Sequence, residues 1–175
     1  SGSKSLFVNC VLGSTNSKLS PVIDLQRTSA FAVSNRLNTN PTTYPDYVSD
    51  TTNEGTTSAA SYLTRPVVLD NTSTSLDIRL TANVRTSSNI LVYFRTSAAD
   101  EVRDINDISW TAFNSDGSED TTVIPAEDDF TFREYKYSAS NLNGFEAFQI
   151  KIVMTGTISS YPPKIRDMRG IALAV

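Results

Sequence analysis

The chain has 175 residues, with 15 Lys and Arg against 19 Asp and Glu, giving a net charge of −4 and a pI near 4.8; that balance argues against a phosphate-neutralising surface, so no nucleic-acid partner is expected. There is no histidine and one cysteine, Cys10, which excludes an internal disulfide and leaves carboxylates, Lys and Tyr as the groups with which any catalysis would have to be done. No apolar run approaches the ~20 residues needed to span a bilayer, and no basic segment followed by a hydrophobic one opens the chain, so no membrane insertion is expected.

Serine and threonine fill roughly a quarter of the chain, while helix-forming runs of Ala, Glu, Lys and Leu are missing, which points to strands and turns. Ser1-Gly2-Ser3 reads as an expression scar, and residues 4–175 as a single domain. The segments "SLFVNCVL" (5–12) and "LSPVIDL" (19–25), separated by the turn formers "GSTNSK", are predicted to pair as strands, with Cys10 an inert small hydrophobe in the first. Residues 26–38 read as extended, since Phe31 and Val33 alternate and Thr28 and Ser29 are poor interior helix residues. Residues 39–60 hold scarcely any core material beyond Tyr44 and Tyr47 and form a long polar loop, of the kind that serves function or a subunit contact.

From Ser61 the pattern becomes regular. "SYLTRPVVLD" (61–70) leads through a turn, "NTSTS", into "LDIRLTANV" (76–84), where Leu76, Ile78, Leu80, Ala82 and Val84 alternate with polar residues. That period of two predicts a strand with one buried face. "ILVYFRT" (90–96) is denser and suits a central strand; residues 98–129 hold most of the acid and predict an irregular excursion with Ile105, Ile108, Trp110 and Phe113 packed inwards. "FTFREYKYS" (130–138), "FEAFQIKIVMTGT" (145–157) and the terminal "KIRDMRGIALAV" complete the strands, the last as a core strand because an apolar tail left in water is costly. Strands at this spacing, joined by polar turns, predict an all-β fold, an antiparallel β-sandwich.

The run from "FQIKIVM" through the proline pair to "IRDMRGIAL" resembles the closing strands of galactose-binding-like jelly rolls, which implies a sandwich of jelly-roll type. Over residues 19–175 the phrases "SPVIDLQRTSAFAVSNRLN", "YLTRPVVLDNTSTSLDIRLTANV", "DISWTAFNSDG" and "FREYKYS" resemble a module of virion structural proteins of tailed phages, of the T4-like type found in marine and cyanobacterial myoviruses. The resemblance implies a non-enzymatic structural or interaction module in a tail, baseplate or fibre. Other virion proteins would be its partners, a homo-oligomer its assembled state, and the virion its location after synthesis in the host cytoplasm.

Three chemical readings stand beside it. The acidic residues Asp100, Glu101, Asp104 and Asp107, with Asp116, Glu119, Asp120, Glu127, Asp128 and Asp129, invite Ca²⁺, but no D-x-[DN]-x-[DN]-G loop is present, so solvated loops are preferred and no metal or other cofactor is assigned. Glycosidase chemistry needs two carboxylates in a defined context, which none of these has, so no catalytic residue is assigned and no enzyme is expected. Trp110 with Tyr93, Tyr135, Tyr137 and Tyr161 would make a stacking platform for a host-surface glycan, the alternative function; packing of Trp110 beside Ile108 and Phe113 is the preferred reading. Arg65, Arg95, Arg133, Lys164, Arg166 and Arg169 read as solvent-facing charges that blunt sheet edges.

Overall fold

The structure, a computed structural model, describes residues 9–23, 37–38, 60–158 and 160–174. By internal contacts the chain divides into two compact units, Ser1–Ser34 and Asn35–Val175.

In the first unit the described residues form no strand. The predicted turn is present: Lys18 N–H donates to Asn16 Oδ1 at 3.0 Å and Leu19 N–H to the Asn16 carbonyl at 3.0 Å. The described parts of the flanking segments are not strands. Residues 9–12 and 19–23 are irregular and exposed, and Cys10 is exposed rather than buried among apolar neighbours. Alternation over so few residues specifies a strand only where a partner offers its edge, and none is formed there among the described residues. Residues 5–8, 24–36 and 39–59, including the predicted polar loop with Tyr44 and Tyr47, lie outside the described residues.

The second unit is all-β, with eight strands among its described residues: β1 (Ser61–Leu63), β2 (Val67–Ser73), β3 (Ser75–Asn83), β4 (Ser88–Ser97), β5 (Thr111–Ala112), β6 (Arg133–Ala139), β7 (Phe145–Gly156) and β8 (Lys164–Leu173). Two short 3-10 turns, Ile105–Asp107 and Phe113–Ser115, are the only helical elements among the described residues. Two antiparallel sheets result. In the larger, β7 lies between β4 and an edge shared by β1 and β2, and β5 closes the far side of β4; in the smaller the order is β6-β3-β8. The chain passes between sheets at β2–β3, β3–β4, β5–β6, β6–β7 and β7–β8. The first of these crossings needs Thr74 alone, so β2 runs three residues into the predicted "NTSTS" turn.

Strict alternation decides the smaller sheet. Leu76, Ile78, Leu80 and Ala82 of β3 and Tyr135 and Tyr137 of β6 point to one face and meet Ile90, Val92 and Phe94 of β4 and Phe148, Ile150 and Ile152 of β7 in one continuous core. Each such side chain contributes ~1.5–3 kcal/mol when fully buried, which sets the register, because a one-residue slip would turn the whole set outward. The predicted excursion supplies a further wedge: Phe113 is 1% exposed, its ring 4.7 Å from Phe94 and 6.1 Å from Tyr137.

The wedge is held by a turn in the left-handed region, with φ of 48° at Asn114, 67° at Ser115 and 88° at Gly117. Gly117 N–H donates to the Phe113 carbonyl, and the Gly117 carbonyl accepts from Val92 N–H at 2.8 Å, bringing its backbone against β4. A Cβ at this position would lie 3.2 Å from Leu91 Cβ and 3.3 Å from the Val92 backbone. Gly117→Ala is therefore expected to cost about 2 kcal/mol, strain and crowding combined, measured as a lower urea midpoint at unchanged slope.

The terminal strand is not the core strand its composition predicts. Of β8, only Ile165, Met168 and Ala172 are half-buried, and no residue of it is fully buried. Among the described residues it pairs with β3 alone and forms an open edge of the smaller sheet. Hydrogen bonding to one neighbour and burial of one stripe suffice to dock an apolar tail without enclosing it.

The Tyr137 hydroxyl is buried and has no hydrogen-bonding partner among the described residues. Burial, then the charges of Glu119, Tyr135 and Asp120, push this phenol well above its ordinary range; burial and Glu119 raise Tyr135 as well. Both phenols stay protonated in the folded chain after their unfolded counterparts ionise near pH 10. Their contribution to stability is thus whole below about pH 10 and is lost above it, by up to ~1.4 kcal/mol per pH unit for each group. Tyr137→Phe is expected to stabilise the fold by about 1 kcal/mol at neutral pH and to reduce the alkaline loss, as read from urea melts at about pH 7 and about pH 11.

Candidate functional site

The strongest concentration of polar chemistry lies on the face of the larger sheet turned away from the core. Outward positions of β4 and β7 face each other in register: Leu91 with Val153, Tyr93 with Lys151, Arg95 with Gln149. All six are buried, so β4 and β7 are buried on both faces, and Trp110, 4% exposed, packs with Leu91, Tyr93 and Val153 in a second apolar cluster.

Arg95 is the centre of this face. Its guanidinium lies 4.3 Å from the Trp110 ring and directs N–H groups at five acceptor contacts: Nε (2.8 Å) and Nη2 to Gln149 Oε1, Nη2 to Asn106 Oδ1 at 2.7 Å, and Nη1 to the carbonyls of Asn106 at 2.7 Å and Ile108 at 3.2 Å. Gln149 in turn donates from Nε2 to the Thr64 carbonyl at 2.6 Å. Burial lowers the pKa of Arg95, and Asp104 and Asp107 oppose that shift, so the guanidinium stays charged. The Lys151 ammonium sits 5.7 Å from the same indole and 6.0 Å from Tyr93. With its N–H fork committed to the chain's own acceptors, Arg95 acts as a clamp tying β4, β7, the 98–110 excursion and the β1–β2 link together.

The aromatic platform is not assembled. Trp110 is covered by Arg95, Tyr93 shares its buried face, and Tyr135 and Tyr137 point into the core on the other sheet. Tyr161 is exposed but far along the chain from these, and Arg85 stacks on its ring at 4.8 Å. A glycan reading through Trp110 therefore has no open aromatic face: the side chain is buried as preferred, but beside Leu91, Tyr93 and Val153 rather than Phe113.

The acidic residues are turn and cap groups. Asp104 accepts from Asn106 N–H, Asp116 from Ser118, Asp128 from Phe130 and Thr131, and Asp120 from Asn114 and from both the N–H and hydroxyl of Ser138. Glu101 is held at a pKa of about 2 by its hydrogen bonds from Arg103. Among the described residues no three acidic side chains converge on one point.

The basic residues divide. Arg95 is buried, against the solvent-facing reading; Arg65, Lys164, Arg166 and Arg169 are exposed, and Arg133 is half-buried. On the outer face of the smaller sheet Arg79 lies between Lys136 and Arg169 across the strands. This like-charge row is stabilised because Glu134 reaches Arg79 at 2.8 Å and Arg169 at 2.9 Å, while Asp77 lies 3.6 Å from Arg79 and 3.5 Å from Lys136. The face is a mixed-sign ladder suited to water.

The sheet edges are treated unequally. On β6, Asp120 N–H donates to the Lys136 carbonyl at 2.7 Å and the Asp120 carboxylate takes Ser138 N–H, covering that edge. β5 is two residues long, and β2 breaks register between Val68 and Ser73. Among the described residues only β8 offers a long edge, and beside it a groove of about 430 Å³ runs between the sheets, lined by Tyr62, Ile152, Met154, Ile165, Arg166, Asp167 and Met168. The Arg166 guanidinium sits 3.9 Å from the Phe132 ring.

The buried outer face of the larger sheet had a signal in the sequence that periodicity analysis passes over. "ILVYFRT" is apolar at both parities as far as Phe94, the pattern of a strand covered on both sides, whereas "FQIKIV" alternates, and its buried Gln149 and Lys151 carry no such signal. Comparison of the chain with protein-family models, with curated proteins and with solved structures returns no match.

Proposed function

We propose that this chain is a non-enzymatic structural and interaction module of a tailed-phage virion, in a tail, baseplate or fibre, built on a sandwich of jelly-roll type. The observation that carries the module reading is the destination of the polar groups. Asp104, Asp116, Asp120 and Asp128 serve turns, the buried guanidinium of Arg95 clamps the chain to itself, and the ladder on the smaller sheet faces water. Among the described residues the edge of β8 and its groove offer backbone and apolar surface suited to assembly rather than to chemistry. The repeated passage between sheets supports the jelly-roll form, and the phrases of residues 19–175 support the virion.

Gradient-purified virions probed with an antibody to this chain are expected to contain it in stoichiometric amount. Its restriction to the soluble lysate, or polysaccharide hydrolysis by the purified chain, would overturn the reading.

A further inference from the structure

We propose that two copies of this chain join edge to edge through β8, antiparallel about a two-fold axis at Met168, so that the three-stranded sheet becomes six-stranded. This deepens the assembly reading above and rests on it for its purpose, not for its geometry.

The edge is long and, among the described residues, open: β8 has ten residues, pairs there with β3 alone, and exposes Asp167, Arg169, Gly170 and Ile171. Such an edge is a template for another strand unless its charges forbid it. Here they select a register. Residues directly opposite in an antiparallel pair share a face, and a two-fold axis normal to the sheet sets one residue opposite itself. Asp167 and Arg169 both lie on the outer face, opposite Thr81 and Arg79 of β3.

An axis at Asp167 would set two carboxylates against each other, and one at Arg169 two guanidinium groups. An axis at Gly170 would oppose Asp167 to Leu173 and Arg169 to Ile171, leaving both charges without a partner. An axis at Met168 opposes Asp167 to the partner's Arg169 and Arg169 to the partner's Asp167, two ion pairs from one alternation. Their side chains are 55% and 58% exposed and meet each other within one chain at a loose 3.5 Å; Arg169 also reaches Glu134 at 2.9 Å, a contact it would share with, or exchange for, the partner's Asp167. Met168 then meets its own copy on the inner face, beside the apolar groove of Tyr62 and Met154. The occupant is thus a second copy, because the edge is complementary to itself.

Sedimentation of the full chain over a range of concentrations tests this. The unaltered chain is expected to dimerise. Asp167→Arg alone and Arg169→Asp alone should each weaken the dimer by about tenfold or more. The double variant Asp167→Arg/Arg169→Asp should restore it, with thermal melts confirming that every variant is folded. A dimer indifferent to these exchanges uses another surface and overturns the proposal. So does a monomer at all concentrations, whether its β8 amides exchange rapidly or are protected by another segment of the same chain. None of these outcomes touches the virion reading, which stands or falls on the particle fraction; a dimer absent from virions would sink that reading and leave the β8 pairing intact.

Discussion

Arg95→Ala is expected to destabilise the fold by about 3–4 kcal/mol, because it leaves several buried acceptors unsatisfied at once. The carbonyls of Asn106 and Ile108 lose their Arg95 donor, Gln149 Oε1 loses two N–H contacts, and the space under Trp110 empties. Since Trp110 is the single tryptophan, its emission reports the site directly. The spectrum should shift to the red and become quenchable at denaturant concentrations where the strands persist, as the 98–110 excursion detaches first. Arg95→Lys keeps the charge but loses the fork, so it should recover less than half of the loss. A melt and emission spectrum like those of the unaltered chain for Arg95→Ala would show that the clamp has no energetic role.

Phe113→Ala carries the second large effect, about 3–5 kcal/mol, since it removes a ring 1% exposed between Phe94 and Tyr137. The cavity cannot close by relaxation of the turn, whose backbone is tied through Gly117 to Val92. Phe113→Leu should cost about 1.5 kcal/mol, as the volume is largely kept. Urea denaturation followed by far-ultraviolet circular dichroism distinguishes them: both should lower the midpoint, the alanine variant at least twice as far. Equal, small shifts would mean that the excursion caps the core without entering it.

The long strands were legible wherever the chain is buried on one face. Leu76 to Ala82 alternate without a break, and β3 spans that run; Phe148, Ile150 and Ile152 do the same in β7. Hydrophobic burial on a single side writes itself as a period of two, which requires no knowledge of the partner strand. The burial of Trp110 and Phe113 was legible from their apolar neighbours, but not that they join different clusters on opposite faces of the larger sheet.

The exposed state of Val11 and Val22 was not legible, because a short apolar stretch forms a strand only if another strand meets it. The depth of Arg95 was equally hidden. A single arginine at the end of a strand has the same sequence appearance on an open face as beneath a loop, and the difference lies in Asn106, Ile108 and Gln149 coming within hydrogen-bonding reach. The place of β8 at an edge was misjudged for a related reason: the apolar content of Ile171 to Leu173 predicts docking, but the number of neighbours a strand has is a property of the sheet.

The sequence by itself thus determined the all-β class, the inward stripes of β3 and β7 and the want of histidine and disulfide chemistry, since each of these follows from residue type and local period alone. Only the tertiary structure decided which strands pair, which edge stays open and which charges are buried, because those depend on segments distant in the chain meeting, as β3 does β8 and Arg95 does Gln149.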